Sequence, residues 1–257
     1  MRLTILGSGS FIPTPKRNCS GYLLDIGRET VLLDGGSGTV RQIACARRNL
    51  LEIRRVFYSH FHLDHLADFL PLLFTRKYYK PQRPTAPITI HAHPEFKSYY
   101  DDLTQLFAKW VTETEFPPEF SPVLPGEYVF PEYRVKVFAS NHTPESLMYR
   151  FEEQGLSLLY TGDVDLCAEL LEATRDVGLL VIECGNSDEN ANPGHMNPAK
   201  IKELIHQARP RQVLITHIPR EVETLNIEKY YGSDLAPRIT IAEDLQVFAV
   251  TRQGVGH

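Results

Sequence analysis

Residues 59–65 read Ser-His-Phe-His-Leu-Asp-His, so four potential metal ligands, His60, His62, Asp64 and His65, fall within six consecutive positions. The run before them, 53–58, reads as a buried-type strand. The run after them, 64–79, carries Leu66, Phe69, Leu70 and Leu73 at helical spacing, so the cluster sits at a predicted strand-to-helix junction. In the extended part His60 and His62 point to the same side, and where the chain turns into the helix Asp64 and His65 diverge toward a second point nearby. One short segment therefore offers two ligands each to two adjacent ions. Structural zinc sites usually close with four Cys or His ligands, whereas mixed carboxylate and imidazole sets with open positions are of the catalytic kind. With ten histidines in 257 residues, a chance His-rich loop is a poor explanation for three at this spacing.

The rest of the composition narrows the class. At 42% apolar and 23% charged, the chain is an ordinary globule and neither disordered nor collagen-like. Its length suits one large α/β domain or two small ones, with ample core and no need of disulfide staples. No stretch approaches the roughly 18–20 apolar residues of a membrane span, and the run from Met1 is too short for a signal peptide. Cys19, Cys45, Cys167 and Cys184 form no C-x-x-C pair, so neither a zinc ribbon nor a thiol redox motif is expected, and a cytoplasmic setting without membrane contact is the default. The formal charge of −5 argues against a surface coated for nucleic acid, while leaving local patches open.

Along the chain, strands are expected at 2–6, at 22–26 and 30–34 as a hairpin with Gly27 near its turn, and at 53–58 and 88–92. Helices are expected at 39–48, with Val40, Ile43 and Ala44 on one face, at 64–79, and at 94–111, opened by Pro94. Residues 112–132 carry five prolines and read as one long loop, a lid or a subunit contact. Strands follow at 133–139, 147–152, 156–161, 179–183, 213–216, 239–241 and 246–250. Helices are expected at 168–174, at 198–208 with Asn197 as cap, and near 222–230. The mixture predicts a layered α/β arrangement in a single domain spanning 1–257.

The spacing at 60–65 resembles the metallo-β-lactamase superfamily, whose hallmark is H-x-H-x-D-H at a strand-to-helix junction. That resemblance implies a four-layer αββα sandwich with mixed sheets and three further ligands at strand ends. His142 after 137–139, Asp163 behind Gly162, and His217 after 213–216 match in order. By the family's arrangement His60, His62 and His142 hold one ion, and Asp64, His65 and His217 hold the other. Asp163 and a hydroxide bridge them. The implied cofactors are two divalent ions, zinc, with Mn2+ or Fe2+ as alternatives, since such ligand sets accept several. Asp64 is also a candidate to orient the hydroxide or take its proton, and Ser59, Thr161 and Thr216 are candidates to fix the imidazoles.

Within that superfamily the sequence is similar to the ribonuclease Z-like branch at three places. Residues 33–42, Leu-Asp-Gly-Gly-Ser-Gly-Thr-Val-Arg-Gln, look like its D-C-G-E-G-T-x-R-Q stretch. Pro13-Thr14-Pro15-Lys16-Arg17-Asn18 looks like its P-x-K-x-R-N loop, with the lysine one place late. Glu183 followed by His195 resembles its carboxylate–histidine pair, although of the family's His-Glu-Ala-Thr run only Glu183 is kept in Ile182-Glu183-Cys184-Gly185. His195, held by Glu183, would protonate the departing oxygen of a phosphodiester.

Only twenty residues separate His142 from Asp163, which leaves no room there for the long arm with which ribonucleases Z grip transfer RNA. The resemblance then implies a phosphodiesterase acting on a small phosphodiester or RNA. Arm-less YhfI-type hydrolases and the cyclic phosphodiesterases of phosphonate metabolism are similar, and a homodimer is compatible with this branch. The alternative is a metal-dependent ester, thioester or sulfate-ester hydrolase on the same fold. Arg76 to Arg83, with four positive charges and two tyrosines, reads as a solvated helix end or as a phosphate-binding patch. Arg47-Arg48 and Arg54-Arg55 read as surface charge.

Overall fold

The computed structural model describes residues 1–79 and 82–251, and the backbone of 254–256. The first half of the chain runs β1 (Arg2–Gly7), β2 (Gly21–Ile26), β3 (Glu29–Gly35), α1 (Thr39–Cys45), β4 (Ile53–Phe57), α2 (Leu63–Leu66), α3 (Phe69–Tyr78), β5 (Thr89–Ala92), α4 (Phe96–Leu106), α5 (Ala108–Val111) and β6 (Glu119–Pro122). The second runs β7 (Gly126–Val129), β8 (Arg134–Ala139), β9 (Leu147–Glu153), β10 (Leu156–Tyr160), α6 (Ala168–Thr174), β11 (Leu179–Glu183), α7 (Pro198–Ala208), β12 (Gln212–Thr216), α8 (Ile227–Tyr231) and β13 (Ile239–Ile241). The chain then returns to its starting sheet as β14 (Val247–Thr251) and β15 (Gly254–Gly256). The sheet orders are β15-β14-β1-β2-β3-β4-β5-β6 and β13-β12-β11-β10-β9-β8-β7.

Each sheet is antiparallel in one half and parallel in the other. β3 through β6 run parallel, as do β10 through β13. The inner faces meet in a core of Leu3, Tyr22, Leu24, Phe57, Tyr149, Phe151 and Tyr160. A second cluster, Ile43, Val56, Tyr58, Phe69, Leu73 and Phe96, packs helices on the outside of the first sheet. A third, Leu159, Leu170, Ile182, Ile201, Leu204 and Ile215, does the same for α6 and α7 on the other. The result is the expected four-layer αββα sandwich. Among the described residues no helix is long and apolar enough to cross a membrane.

Several local expectations need correction. The helix expected over 64–79 breaks at Ala67 and Asp68. Pro71 has no N–H for the carbonyl one turn back, and Asp68 is engaged elsewhere. Its N–H donates to Gly35 O, and its carboxylate accepts from Gly38 N (3.1 Å) and Val40 N (2.7 Å). α1 ends at Cys45 because Arg47 turns left-handed (φ 56°). It buries Thr39, Gln42 and Ile43, with Val40 half-buried against the same core and Ala44 exposed, since Gln42 reaches inward to donate to Leu6 O and Asp244. The helix expected over 94–111 divides at Phe107 into α4 and α5. The helix near 222–230 contracts to α8, capped by Asn226.

The proline-rich segment 112–132 is not one loop. It forms β6 and β7, the edge strands of the two sheets, where missing N–H groups are tolerated, and Val123 between them is buried. Of the basic run 76–83, Arg76 does not belong to the surface. Arg76 is buried and donates to Ile53 O and Ala86 O, while Lys80 and Pro81 lie outside the described residues. Arg48 and Arg55 are half-buried ion pairs with Asp25 and Glu29 rather than free surface charge.

His91 on β5 stacks on Phe57 with ring centroids 4.5 Å apart. Burial first, then the neighbouring Arg55 guanidinium, hold its pKa down at about 4, against about 6.5 in an unfolded chain. Above pH 6.5 both states are neutral and the residue contributes nothing. As pH falls through 6.5 toward 4, the unfolded state takes up its proton first and stability is lost, on the order of 2 kcal/mol by pH 5. His91→Phe keeps the stack and removes the titration. Urea melts at pH 7 and pH 5 should show wild type losing about 2 kcal/mol more than the variant; equal losses would refute this.

Candidate metal centre

The direction of the strands gathers the polar residues at one rim. β3 and β4 are parallel, as are β10, β11 and β12, and β8 shares their direction because β9 is antiparallel to both of its neighbours. At the C-terminal ends of these strands stand Asp34 and Glu183, and just past them come His60, His142, Asp163 and His217. The short turn into α2 adds His62, Asp64 and His65. Two tight approaches allow this convergence. A Cβ on Gly36 would stand 1.9 Å from Asp64 O, and one on Gly162 (φ 56°) would stand 2.4 Å from Ser59 Cβ.

Asp163, almost fully buried, lies at the middle. Its carboxylate is 3.2 Å from His65 Nε2, 3.5 Å from His217 Nε2, 3.7 Å from His60 Nε2 and 3.9 Å from His142 Nε2. Asp64 Oδ2 is 3.6 Å from His65 Nε2 and 3.8 Å from His217 Nε2. His62 Nδ1 is 3.3 Å from His142 Nε2. The donor atoms thus fall into one group of His60, His62, His142 and Asp163, and a second of Asp64, His65 and His217. These are the sets expected from the sequence, with Asp163 between them.

Whether a cation suits this cluster is decided by its own atoms. His60 Nε2 is buried and has no hydrogen-bond partner among the described residues, and His65 Nε2 and Asp163 Oδ1, also buried, have only one another at 3.2 Å, without hydrogen-bond geometry. Such orphans are costly unless something satisfies them. His60, His65, His142 and His217 each have Nδ1 anchored, which leaves Nε2 to face inward. Burial would raise the Asp163 pKa, but the surrounding imidazoles of His217 and His65 hold it well below the usual carboxylate range. Burial would lower His65, but Asp163 and Asp34 drive it well above its ordinary value. The carboxylates demand positive charge, and imidazole lone pairs are aimed at the same points. The residues present therefore fit divalent metal.

The anchors behind the imidazoles were only partly foreseen. Ser59 does touch His60, with Oγ 3.0 Å from Nδ1. Thr161 instead donates to Gly162 O, and Thr216 bonds Tyr22 OH, because both side chains point away from the rings. The anchor for His217 Nδ1 is Ser20 Oγ (2.9 Å), and that for His142 Nδ1 is Gly194 O (2.8 Å). Asp34 had no expected role, yet its Oδ2 is 2.6 Å from His65 Nδ1. It also accepts from Ser59 N (2.7 Å), Ser59 Oγ (2.6 Å) and Tyr160 OH (2.5 Å). A signal was available in its position at a strand end before Gly35-Gly36.

Glu183 and His195 form a third group with Asp163. His195 Nδ1 is 2.8 Å from Glu183 Oε1 and 3.9 Å from Asp163 Oδ2. Glu183, fully buried, also accepts from Val164 N and Gly185 N. Burial would depress the imidazole, but the hydrogen bond and charge of Glu183 raise its pKa to about 9. The loop carrying His195 is tied down by Lys200, whose Nζ donates to His195 O (3.0 Å) and pairs with Asp165, and Asp165 accepts from Gly194 N. Lys200 and Asp165 are positioning residues with no local signature.

Residues 29–218 match the family described as the Beta-lactamase superfamily domain. The chain belongs to the beta-lactamase superfamily. Within the superfamily its similarity lies with the ribonuclease Z-like branch. It is 24% identical to a ribonuclease Z of Pyrococcus horikoshii, with 99% of this chain and 97% of that protein covered. That alignment runs to 312 positions, more than this chain has residues, so the relative carries segments that this superfamily member lacks. Human tRNase Z, short form, superposes with a TM-score of 0.80 at 21% identity, covering 98% of this chain and 100% of that one. The metallo-β-lactamase fold protein YhfI of Bacillus subtilis superposes at 0.77 with 20% identity, covering 96% and 98%.

Asp34→Asn keeps the side-chain shape but removes the charge behind His65 and one acceptor. Zinc affinity, measured by competition with a chelating dye, should fall about 10–100-fold. Unchanged affinity would mean that Asp34 does not orient the site.

Proposed function

We propose that this protein is a single-domain, dinuclear, zinc-dependent phosphodiesterase of the ribonuclease Z-like kind, acting on a small phosphodiester or on RNA. In this reading His60, His62 and His142 hold one ion, Asp64, His65 and His217 the other, and Asp163 stands between them. Two such ions supply Lewis acidity at the phosphoryl oxygens and lower the pKa of a water.

The observation that carries the reading is the Glu183–His195 pair beside Asp163. Cleaving a phosphodiester to an alcohol needs a proton at the departing oxygen. His195 is held by Glu183 through Nδ1, which leaves its Nε2 edge to deliver that proton, while Glu183 stabilises the imidazolium beforehand. Asp64, half-buried at the second ligand group, is placed to accept a proton from the attacking water. A thiolate departs without a proton, so a thioesterase would leave the buried Glu183 idle. The hairpin of β9 and β10 fills the interval between His142 and Asp163, which supports a substrate not gripped by an arm at that place.

His195→Ala tests the acid role when leaving groups are compared. Turnover of a dinucleoside monophosphate should fall about 10²–10⁴-fold, and turnover of bis(p-nitrophenyl) phosphate much less, because nitrophenolate departs unprotonated. Bound zinc per chain should stay the same. Equal losses on both substrates, or none, would remove His195 from the acid role.

A further inference from the structure

The loop that carries His195 is joined to the ligands of one ion through a single residue. Gly194, in the left-handed region (φ 87°), accepts from His142 Nδ1 through its carbonyl (2.8 Å), and its N–H donates to Asp165 Oδ2 (3.0 Å). The approach is close, since a Cβ on Gly194 would stand 3.3 Å from His142 Nδ1. The next side chain is the His195 imidazole, whose ring centroid lies 4.7 Å from that of His142. The peptide between Gly194 and His195 is planar. The carbonyl that meets His142 therefore also sets the direction in which the chain enters the acid.

Asp165 draws the neighbouring loops onto the same point. It follows Asp163 by two residues, its N–H donates to Asn141 O (3.2 Å) beside His142, and its carboxylate pairs with Lys200. Lys200, in the first turn of α7, also donates to His195 O (3.0 Å). The carbonyls of Gly194 and His195 are thus held by His142 and by Lys200 respectively. Loops after β8, β10 and β11 meet at one half-buried ion pair. The imidazoles of the other ligand group are anchored elsewhere, His65 Nδ1 on Asp34 at the end of β3 and His217 Nδ1 on Ser20 ahead of β2.

We infer that the Gly194–His195 peptide couples the ion held by His60, His62 and His142 to the general acid, with Asp165 and Lys200 as the positioning pair that fixes both. The inference rests on the phosphodiesterase reading, which gives His142 to an ion and His195 to the departing oxygen. A His142 ring fixed by ligation fixes its Nδ1 bond to Gly194 O, and with it the entry to His195. Coupling between two sites is reciprocal, so loosening the acid loop weakens that ion and leaves the other alone.

Lys200→Met removes the charge and keeps the reach of the side chain. Zinc titration against a chelating dye should show one of two equivalents weakened about 10-fold and the other unchanged. Zinc should slow amide exchange over 190–197 in wild type, and much less in the variant. At saturating zinc, turnover of a dinucleoside monophosphate should fall about 10-fold and that of bis(p-nitrophenyl) phosphate less than about 2-fold, since only the first leaving group needs the proton. Lys200→Arg, which keeps the pair with Asp165, should restore all three readouts. Lys202→Met, on the same helix with its ammonium on Tyr230 O, should alter none. Thermal melts confirm that each variant is folded. Both equivalents weakened alike, neither weakened, exchange indifferent to zinc, or equal losses on the two substrates would overturn the coupling. One weakened equivalent and the lost exchange response, in a protein that hydrolyses no phosphodiester, would uphold the link between ion and loop and overturn the functional reading instead.

Discussion

Everything at the rim depends on one buried carboxylate. Asp34, fully shielded from solvent at the end of β3, accepts hydrogen bonds from Ser59 and Tyr160 and faces His65 Nδ1. Ser59 opens the histidine segment and Tyr160 ends β10 on the other sheet, so a single side chain joins both sheets to the ligand cluster. A carboxylate this deep is costly unless satisfied, and here four donors converge on it. Its left-handed backbone (φ 52°) is shared by His217 at another strand end (φ 52°). Such strain in non-glycine residues persists only where the surroundings hold it in place.

The same economy shapes the electrostatics. Two buried carboxylates stand among the imidazoles, Asp34 behind His65 and Asp163 between His60, His65, His142 and His217, and the rings anchored through Nδ1 present Nε2 inward. A cluster with this balance is under-charged as protein alone. The formal charge of −5 would be largely offset by two divalent ions. An anionic phosphoryl group would therefore meet a far more attractive surface than the bare sequence suggests.

The ligands were legible in the sequence because three cluster with His60 at the junction of β4 and α2 and the others follow strand ends, which are marked locally by an apolar run followed by polar residues. His142, Asp163 and His217 could be found that way, as could the strands that place them. The anchors were not legible, since Ser20, Asp34, Gly194 and Lys200 meet their partners across long stretches of chain. The helix expected over 64–79 is interrupted because Asp68 trades helical continuity for bonds to Gly35, Gly38 and Val40. The prolines of 112–132 hid two short edge strands because four of the five flank them and only Pro122 lies within one, at the end of β6, where a missing N–H is tolerated. Arg76, read as a charged surface residue, instead spends its donors on buried carbonyls. In each case a distant partner overrode local preference.

The most direct test is zinc-edge anomalous diffraction from crystals of the zinc-reconstituted protein. Two peaks should appear about 3.5–4 Å apart, one against His60, His62 and His142, the other against Asp64, His65 and His217, with the Asp163 carboxylate reaching both. A single peak, none at all, or metal held by residues outside this set would contradict the dinuclear centre.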